Sequence, residues 1–365
     1  MTAKKQNSIE IGVYTLADIG PDPFTGKTIS AKQRMDEIIQ AAKLADEAGL
    51  DIFGVGEHHR LDYAVSSPAV VLSAMAYATK QIKLTSATSV LSTLDPVRLY
   101  EDFATVDLIS GGRAEIIAGR GAFVESFPLF GYSTNDYNEL FSEHLDLLLK
   151  LNENEIVSWN GKFRSALTEA EIAPRSIQKQ LPIWIGVGGT PESAERAGKL
   201  GVGMALAILG GDPLRFKPLV DIYRKAGIEA GHSPDALKVG VTGHTYLAET
   251  TEQAMDEFYP YYANYWNYVN RQRGMGTRMS RGDFEQLASP ETALFVGSPE
   301  QVVEKILRQH ELFGHTRFLA QVDIGGVPFH KVERNIELLA TEVIPRLNKA
   351  IGNDEKQDTD LISIS

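Results

Sequence analysis

Short runs rich in β-branched residues recur eight times along this 365-residue chain, and amphipathic stretches separate them almost from end to end. The runs cover residues 9–15, 52–57, 82–89, 114–118, 182–187, 203–208, 237–246 and 317–322. Apolar runs this short read as strands covered on both faces. Between them Met35, Ile38, Ile39, Ala42 and Ala45 recur at the spacing of one helix face. Pro68 after Ser66-Ser67 is a first-turn signal, and Gly49 is a helix-ending signal. Eight strands, each followed by a helix, is the count of an α/β chain closed into a (β/α)8 TIM barrel. A doubly wound parallel sheet is the alternative that the pattern leaves open.

No repeat, low-complexity stretch or composition shift marks a second domain, so one domain is expected over 1–351 and a polar, frayed tail over 352–365. Two connections are too long for a plain barrel and read as insertions. Residues 152–180 suit a small hairpin around Trp159-Asn160-Gly161, and residues 272–299, rich in Gly, Arg and Met, suit a lid.

Composition narrows the function. An apolar fraction of 43% fits a soluble globular protein, and no apolar run approaches the roughly 20 residues of a membrane helix. Residues 1–7 are polar and lead directly into a strand, so the chain is expected in the cytoplasm. The chain has no cysteine, which excludes disulfides, thiolate metal sites and cysteine nucleophiles. A net charge of -12 argues against nucleic acid or an anionic membrane as the main partner.

In a barrel, catalytic groups belong at strand C-termini, and four unusual segments fall there. The second strand runs into Glu57-His58-His59, the third carries Ser86-Ala87-Thr88, and the fourth ends in Gly119-Arg120-Gly121. The fifth leads into Gly188-Gly189-Thr190-Pro191-Glu192-Ser193. Glycines there let a backbone approach a ligand, and free amides at a helix N-terminus favour anions. Thr190 reads as the helix cap, with Ser193 a second hydroxyl nearby; an ordinary capped turn is the plain alternative. Arg120 tilts the balance, because a guanidinium after an apolar strand needs an anionic partner, which a phosphate on the fifth-strand loop would supply. Arg113 lies before its strand, on the opposite rim, and reads as structural.

His58 and His59 admit three readings. They are metal ligands, although adjacent histidines lack the usual spacing for one metal; or one is bonded to a barrel carbonyl; or one transfers protons at the barrel mouth. Alternation predicts that only one of the two faces the pocket. Glu57 would fix the ring or accept a hydrogen bond from a ligand. The aromatic cluster Phe258-Tyr259-Pro260-Tyr261-Tyr262 with Tyr265, Trp266 and Tyr268 reads mostly as helix packing, with some members lining an apolar cavity beneath the lid.

These segments resemble the bacterial luciferase-like monooxygenases, a flavin-dependent (β/α)8 family, over about residues 9–347. Besides those already quoted, Asp95-Pro96-Val97-Arg98 with Glu101-Asp102, Ser110-Gly111-Gly112-Arg113 and Phe295-Val296-Gly297-Ser298-Pro299-Glu300 carry the likeness. The resemblance implies that His58 is catalytic, with Glu57 as its support, and that Arg120 contacts the flavin phosphate. It implies that Gly188, Gly189, Thr190 and Ser193 cradle that phosphate, and that a non-proline cis peptide joins Ala87 to Thr88 under the flavin ring. One departure stands out: bacterial luciferase has a second phosphate-binding arginine, and the matching stretch 130–138 here has none. The luciferase thiol is also absent, so the chain is closer to the single-chain oxidoreductases of the family.

The resemblance further implies reduced FMN as cofactor, supplied by a separate NAD(P)H:flavin reductase, since no nucleotide-binding domain for NAD(P)H is visible. O2 and a small, partly apolar organic molecule would be the substrates. A homodimer is implied too, with Ala69, Ser73, Ala76 and Tyr77 of the helix over 68–79 as the candidate interface. Deazaflavin-dependent hydride transfer, a non-catalytic flavin-binding protein and a metal-dependent barrel hydrolase are the alternatives.

Overall fold

The computed structural model describes residues 8–272 and 278–352. All eight expected strands form, at Glu10–Thr15, Ile52–Val55, Lys83–Ser86, Ala114–Gly119, Ile183–Val187, Gly203–Ala207, Val239–Leu247 and Arg317–Gln321. Each pairs in parallel with the next, from Gly12 opposite Ile52 round to Val241 opposite Phe318. Glu10 opposite Arg317 closes the ring, so the doubly wound alternative falls away.

Burial explains why runs without alternation make these strands. The second and fourth are buried along their whole length. One side faces a large core shared with the helices, and the other faces a small core inside the barrel made by Tyr14, Ile52, Ile117, Trp184, Ala205 and Leu319. Helices start and stop where the sequence signals lie. Ser30 caps Ala31–Glu47, Pro68 opens Pro68–Ala78, and Asp95 caps Pro96–Ser110 before Gly111 ends it at φ 73°. Arg113 then donates to carbonyls of Ala76, Thr79, Ile82 and Ser110, a purely structural use.

At the N-terminal end of the barrel the Arg317 guanidinium lies 4.3 Å above the Trp184 ring. It bonds both Glu115 (2.6 Å) and Glu10 (2.7 Å), and Lys83 also holds Glu10, at 2.6 Å. This ionic plug closes the end remote from the expected site.

Several expectations need correction. The third run is interrupted: Lys83–Ser86 and Ser89–Val90 are separate strands, and the Ala87–Thr88 peptide between them is cis. The insertion after the fourth strand is indeed an antiparallel hairpin, Ile156–Trp159 with Leu167–Glu171. The long connection near the C-terminus, expected as a loop, carries regular structure in its described part. Arg281–Ala288 is a helix whose Phe284 packs on Phe258, Tyr259 and Tyr262. Phe295–Gly297 is a further strand, added where the seventh outruns the barrel at Thr245–Leu247. Residues 273–277 of that connection, and the expected tail from 353 onward, lie outside the described residues.

Of the interface residues expected on the helix Pro68–Ala78, two point inward and Tyr77 points outward. Ala69 and Ala76 are buried within the chain, and its outward apolar side is Val70 and Tyr77, with Tyr77 91% exposed. Among the described residues no helix is long and apolar enough to cross a membrane.

Candidate active site

A cavity of about 410 Å³ opens at the C-terminal end of the barrel. The second strand brings Glu57, His58 and His59 to it, the third Ala87 and Thr88, the fourth Arg120, and the fifth Gly188 and Thr190. Residues scattered over more than a hundred positions thus meet in one place. Gly189 and Ser193 are not among the lining residues; Ser193 lies buried behind the loop with no partner for its hydroxyl.

Beyond the strand end at Val55, Glu57 and His59 bond to each other while His58 turns to a different partner. Glu57 Oε1 lies 2.9 Å from His59 Nε2, and its Oε2 accepts from Val90 N at 2.9 Å. Glu57 therefore supports His59, not His58. Both imidazoles line the cavity, contrary to the expectation of one.

His58 has a different carboxylate. Its Nδ1 lies 3.1 Å from Glu125 Oε1, and its ring stacks on Tyr63 at 4.0 Å with Phe123 edge-on at 5.3 Å. Burial would raise the Glu125 carboxyl, but the His58 hydrogen bond and the nearby charges of His58 and Arg60 hold it below its ordinary value. An ionised Glu125 accepts, so Nδ1 carries the proton and Nε2 is left for exchange with a ligand. Glu125 sits in a loop where nothing in the sequence marks it. The carboxylate and imidazoles do not converge as a metal site would, and no ligating cluster of His, Asp and Glu occurs among the described residues.

Arg120 donates to Asn138 Oδ1 at 2.7 Å and Thr190 Oγ1 at 2.8 Å, and its guanidinium lies 5.2 Å from the centre of the Tyr137 ring. Both hydrogen-bond partners are neutral, so neither matches its charge. Thr190 is the N-cap of Pro191–Leu200 by position, yet its side chain makes no cap bond. The expected cap has been diverted to orient the arginine.

A second guanidinium stands close by. Burial first, then the positive charge of Arg120, pulls Arg196 below its ordinary value, against the attraction of Asp146. Its Nη1 is buried without a hydrogen-bond partner. Arg196 thus brings near this site a cation that the stretch 130–138 does not provide, from the helix after the fifth strand. Its signal was present in that helix but lay outside the stretch compared. A Cβ on Gly188 or Gly189 would meet nothing within 4 Å, and Gly189 has φ 141°, so this loop leaves open space beside free backbone. Arg120, a helix N-terminus and the open backbone of the Gly188-Gly189 loop suit a phosphate monoester.

Close packing shapes the wall between Arg120 and His58. A Cβ on Gly119 would come within 2.4 Å of Thr88 Oγ1, so the third and fourth strands meet there only because residue 119 is glycine. Phe123, Leu209 and Tyr265 also line the cavity, and Tyr14, Thr242, His244 and Gln321 contribute from the first, seventh and eighth strands. Of the aromatic cluster only Tyr265 reaches it; Phe258 stacks on Tyr246 at 4.9 Å as ordinary helix packing.

A family model described as luciferase-like monooxygenase matches residues 9–316. The chain belongs to the luciferase-like monooxygenase family. Its relatives include the oxygenase component of a flavin-dependent trigonelline monooxygenase from Acinetobacter baylyi, 24% identical over 87% of this chain and 91% of that one. Among solved structures, monooxygenase RslO1 from Streptomyces bottropensis superimposes with a TM-score of 0.79 at 26% identity, covering 93% of this chain and 99% of that one. The oxygenating constituent of 3,6-diketocamphane monooxygenase from Pseudomonas putida, in complex with FMN, superimposes with a TM-score of 0.73 at 22% identity, over 93% and 98% of the two chains. The last likeness concerns the fold.

Proposed function

We propose that this chain is the oxygenase of a flavin-dependent monooxygenase that holds reduced FMN by its phosphate and acts with O2 on a neutral or partly apolar organic molecule. The observation that carries this is Arg120, fixed between Thr190 and Asn138 at the mouth of the cavity with only neutral partners. Family membership and the flavin-dependent relative support it. Arg120, Thr190 and the Gly188-Gly189 backbone would hold the phosphate, and Ala87-Thr88 would abut the ring.

Reduced flavin, when bound, supplies the electrons that activate O2. The protein's share is positioning, proton control and exclusion of water. His58 is held between Tyr63 and Phe123 with its Nδ1 committed to Glu125. Its Nε2 is the atom that would give or take a proton. Phe123, Leu209 and Tyr265 shield the cavity. A separate reductase would deliver the reduced cofactor, the chain would work in the cytoplasm, and a second copy would cover the helix bearing Val70 and Tyr77.

Coupling the purified protein to a flavin reductase tests the assignment of His58. His58→Ala should lower turnover about a hundredfold or more with FMN affinity kept. Glu125→Gln should lower turnover less, leave FMN affinity unchanged and move the pH–rate profile. Turnover unaffected by His58→Ala would remove it from the reaction. Absorbance of the protein titrated with FMN, and separately with a deazaflavin, decides the cofactor.

A further inference from the structure

Two polar side chains at the floor of the cavity have no role in the account so far. Gln321 ends the eighth strand and His244 faces it as its register partner on the seventh. Both line the cavity, and both are almost fully buried, at 0% and 1% exposed. The Gln321 amide oxygen and nitrogen both lack a hydrogen-bond partner, and so does His244 Nδ1. Buried polar atoms are normally paired, because leaving them unpaired costs the full desolvation of each group. Three such atoms on adjacent strands, in a wall of a ligand cavity, are a feature the unliganded fold has no use for.

The surroundings define what would satisfy them. Burial pulls His244 down to about 4, so its ring is neutral, with one nitrogen a donor and the other an acceptor. Tyr14, the register partner of Gln321 on the first strand, is already engaged with Thr242. Burial keeps the Tyr14 hydroxyl un-ionised, well above its ordinary value. Tyr262, Tyr265 and Trp266 hold the His244 ring edge-on or tilted, at 5.8, 5.7 and 6.2 Å. None of these groups carries a charge, which disfavours a carboxylate or sulfonate at this end of the cavity.

We propose that Gln321 and His244 recognise a neutral ligand edge that presents an N–H or O–H donor beside a carbonyl acceptor, as in a lactam, an imide or a hydroxyketone. A primary carboxamide side chain is self-complementary to such an edge, donating through Nε2 and accepting through Oε1. The inference rests on the flavin-monooxygenase reading in placing the ligand in this cavity. The pyrimidine ring of a flavin and a cyclic amide substrate share this chemistry.

The test uses two probe pairs that differ by one methyl group: lumiflavin against 3-methyllumiflavin, and 2-piperidone against N-methyl-2-piperidone. Each is titrated by calorimetry into the native protein and into Gln321→Leu and His244→Leu; calorimetry needs no bound flavin, so loss of FMN binding would be seen separately as failure of the cofactor reading. In the native protein, methylation should weaken one of the pairs by about tenfold, and Gln321→Leu should erase that difference. A penalty in the flavin pair assigns the floor to the cofactor ring, and one in the lactam pair assigns it to substrate. The unliganded Gln321→Leu protein should melt no lower than native, since it removes an unpaired amide. Equal binding within both pairs by the native protein would overturn the proposal. So would a fall in melting temperature of several degrees with the methylation penalty unchanged, because the amide would then be a structural group.

Discussion

At Asp18 the chain buries a carboxyl next to the Arg34–Asp323 ion pair of 2.6 Å, with Gly325 N donating to Oδ2 at 3.1 Å. Burial, together with the charge of Asp323, pushes Asp18 up from 3.8 to about 7 against the pull of Arg34. A raised carboxyl holds a proton in the folded chain that the unfolded chain has already lost. Its contribution is therefore full below pH 3.8, erodes as pH rises, and is gone above about 7. The urea midpoint should fall between pH 5 and pH 8 by more in the native protein than in Asp18→Asn, and parallel profiles would refute the assignment. The same scale shows what the sequence could and could not disclose. Arg120 and Thr88 were legible because a strand end is an unusual place for them. Glu125 and Asn138 were not, because what they meet depends on how a loop and a helix settle against each other. The exchange of partners between Glu57 and Glu125 was equally hidden, since adjacency in sequence favoured the wrong pairing.

Among the elements, the helix Arg281–Ala288 shows how a long connection can mislead. Gly, Arg and Met content over 272–299 suggested a lid, but one buried lysine fastens the described part. Lys305 Nζ donates to the carbonyls of Ala288 (3.0 Å), Ser289 (2.7 Å), Thr292 (3.3 Å) and Leu294 (2.7 Å). These close the end of that helix and the turn before Phe295–Gly297. Lys305→Met should cost about 2–4 kcal/mol by urea unfolding, since it orphans several buried carbonyls. FMN affinity should be unchanged in that variant, because none of these residues lines the cavity; a collapse of affinity would restore the lid. The eight strands were legible because burial on both faces leaves an unbroken apolar run. The break at Ala87–Thr88 was not legible from periodicity and came only with the resemblance. Phe295–Gly297 was missed because three residues carry too little pattern.

Across the whole molecule the two ends of the barrel have separate tasks. The N-terminal end is stapled by Arg317 between Glu10 and Glu115, and the C-terminal end carries the cavity. Arg317→Ala would take the closest cation from the buried Glu115 and leave Glu10 to Lys83 alone, and should cost about 3–5 kcal/mol, measured as the unfolding midpoint, without touching the site. Burial raises the Glu10 carboxyl, but Arg317 and Lys83 overcome this and lower it from 4.5 to about 2. That contribution is present above pH 4.5 and is lost as pH falls toward 2, so the staple should fail on the acid side. Barrel closure and the rim bearing His58, Thr88, Arg120 and Gly188 were both readable from strand count, because strand ends in such a fold converge by geometry. The claim that matters most is that this rim binds a flavin through its phosphate. Dissociation constants of FMN and riboflavin, measured side by side for the native protein and Arg120→Ala, test it directly. The native protein should hold FMN more tightly by about 1.5–3 kcal/mol, the scale of a charged hydrogen bond, and the gap should close in the variant. Equal affinity of the native protein for FMN and riboflavin would contradict the account.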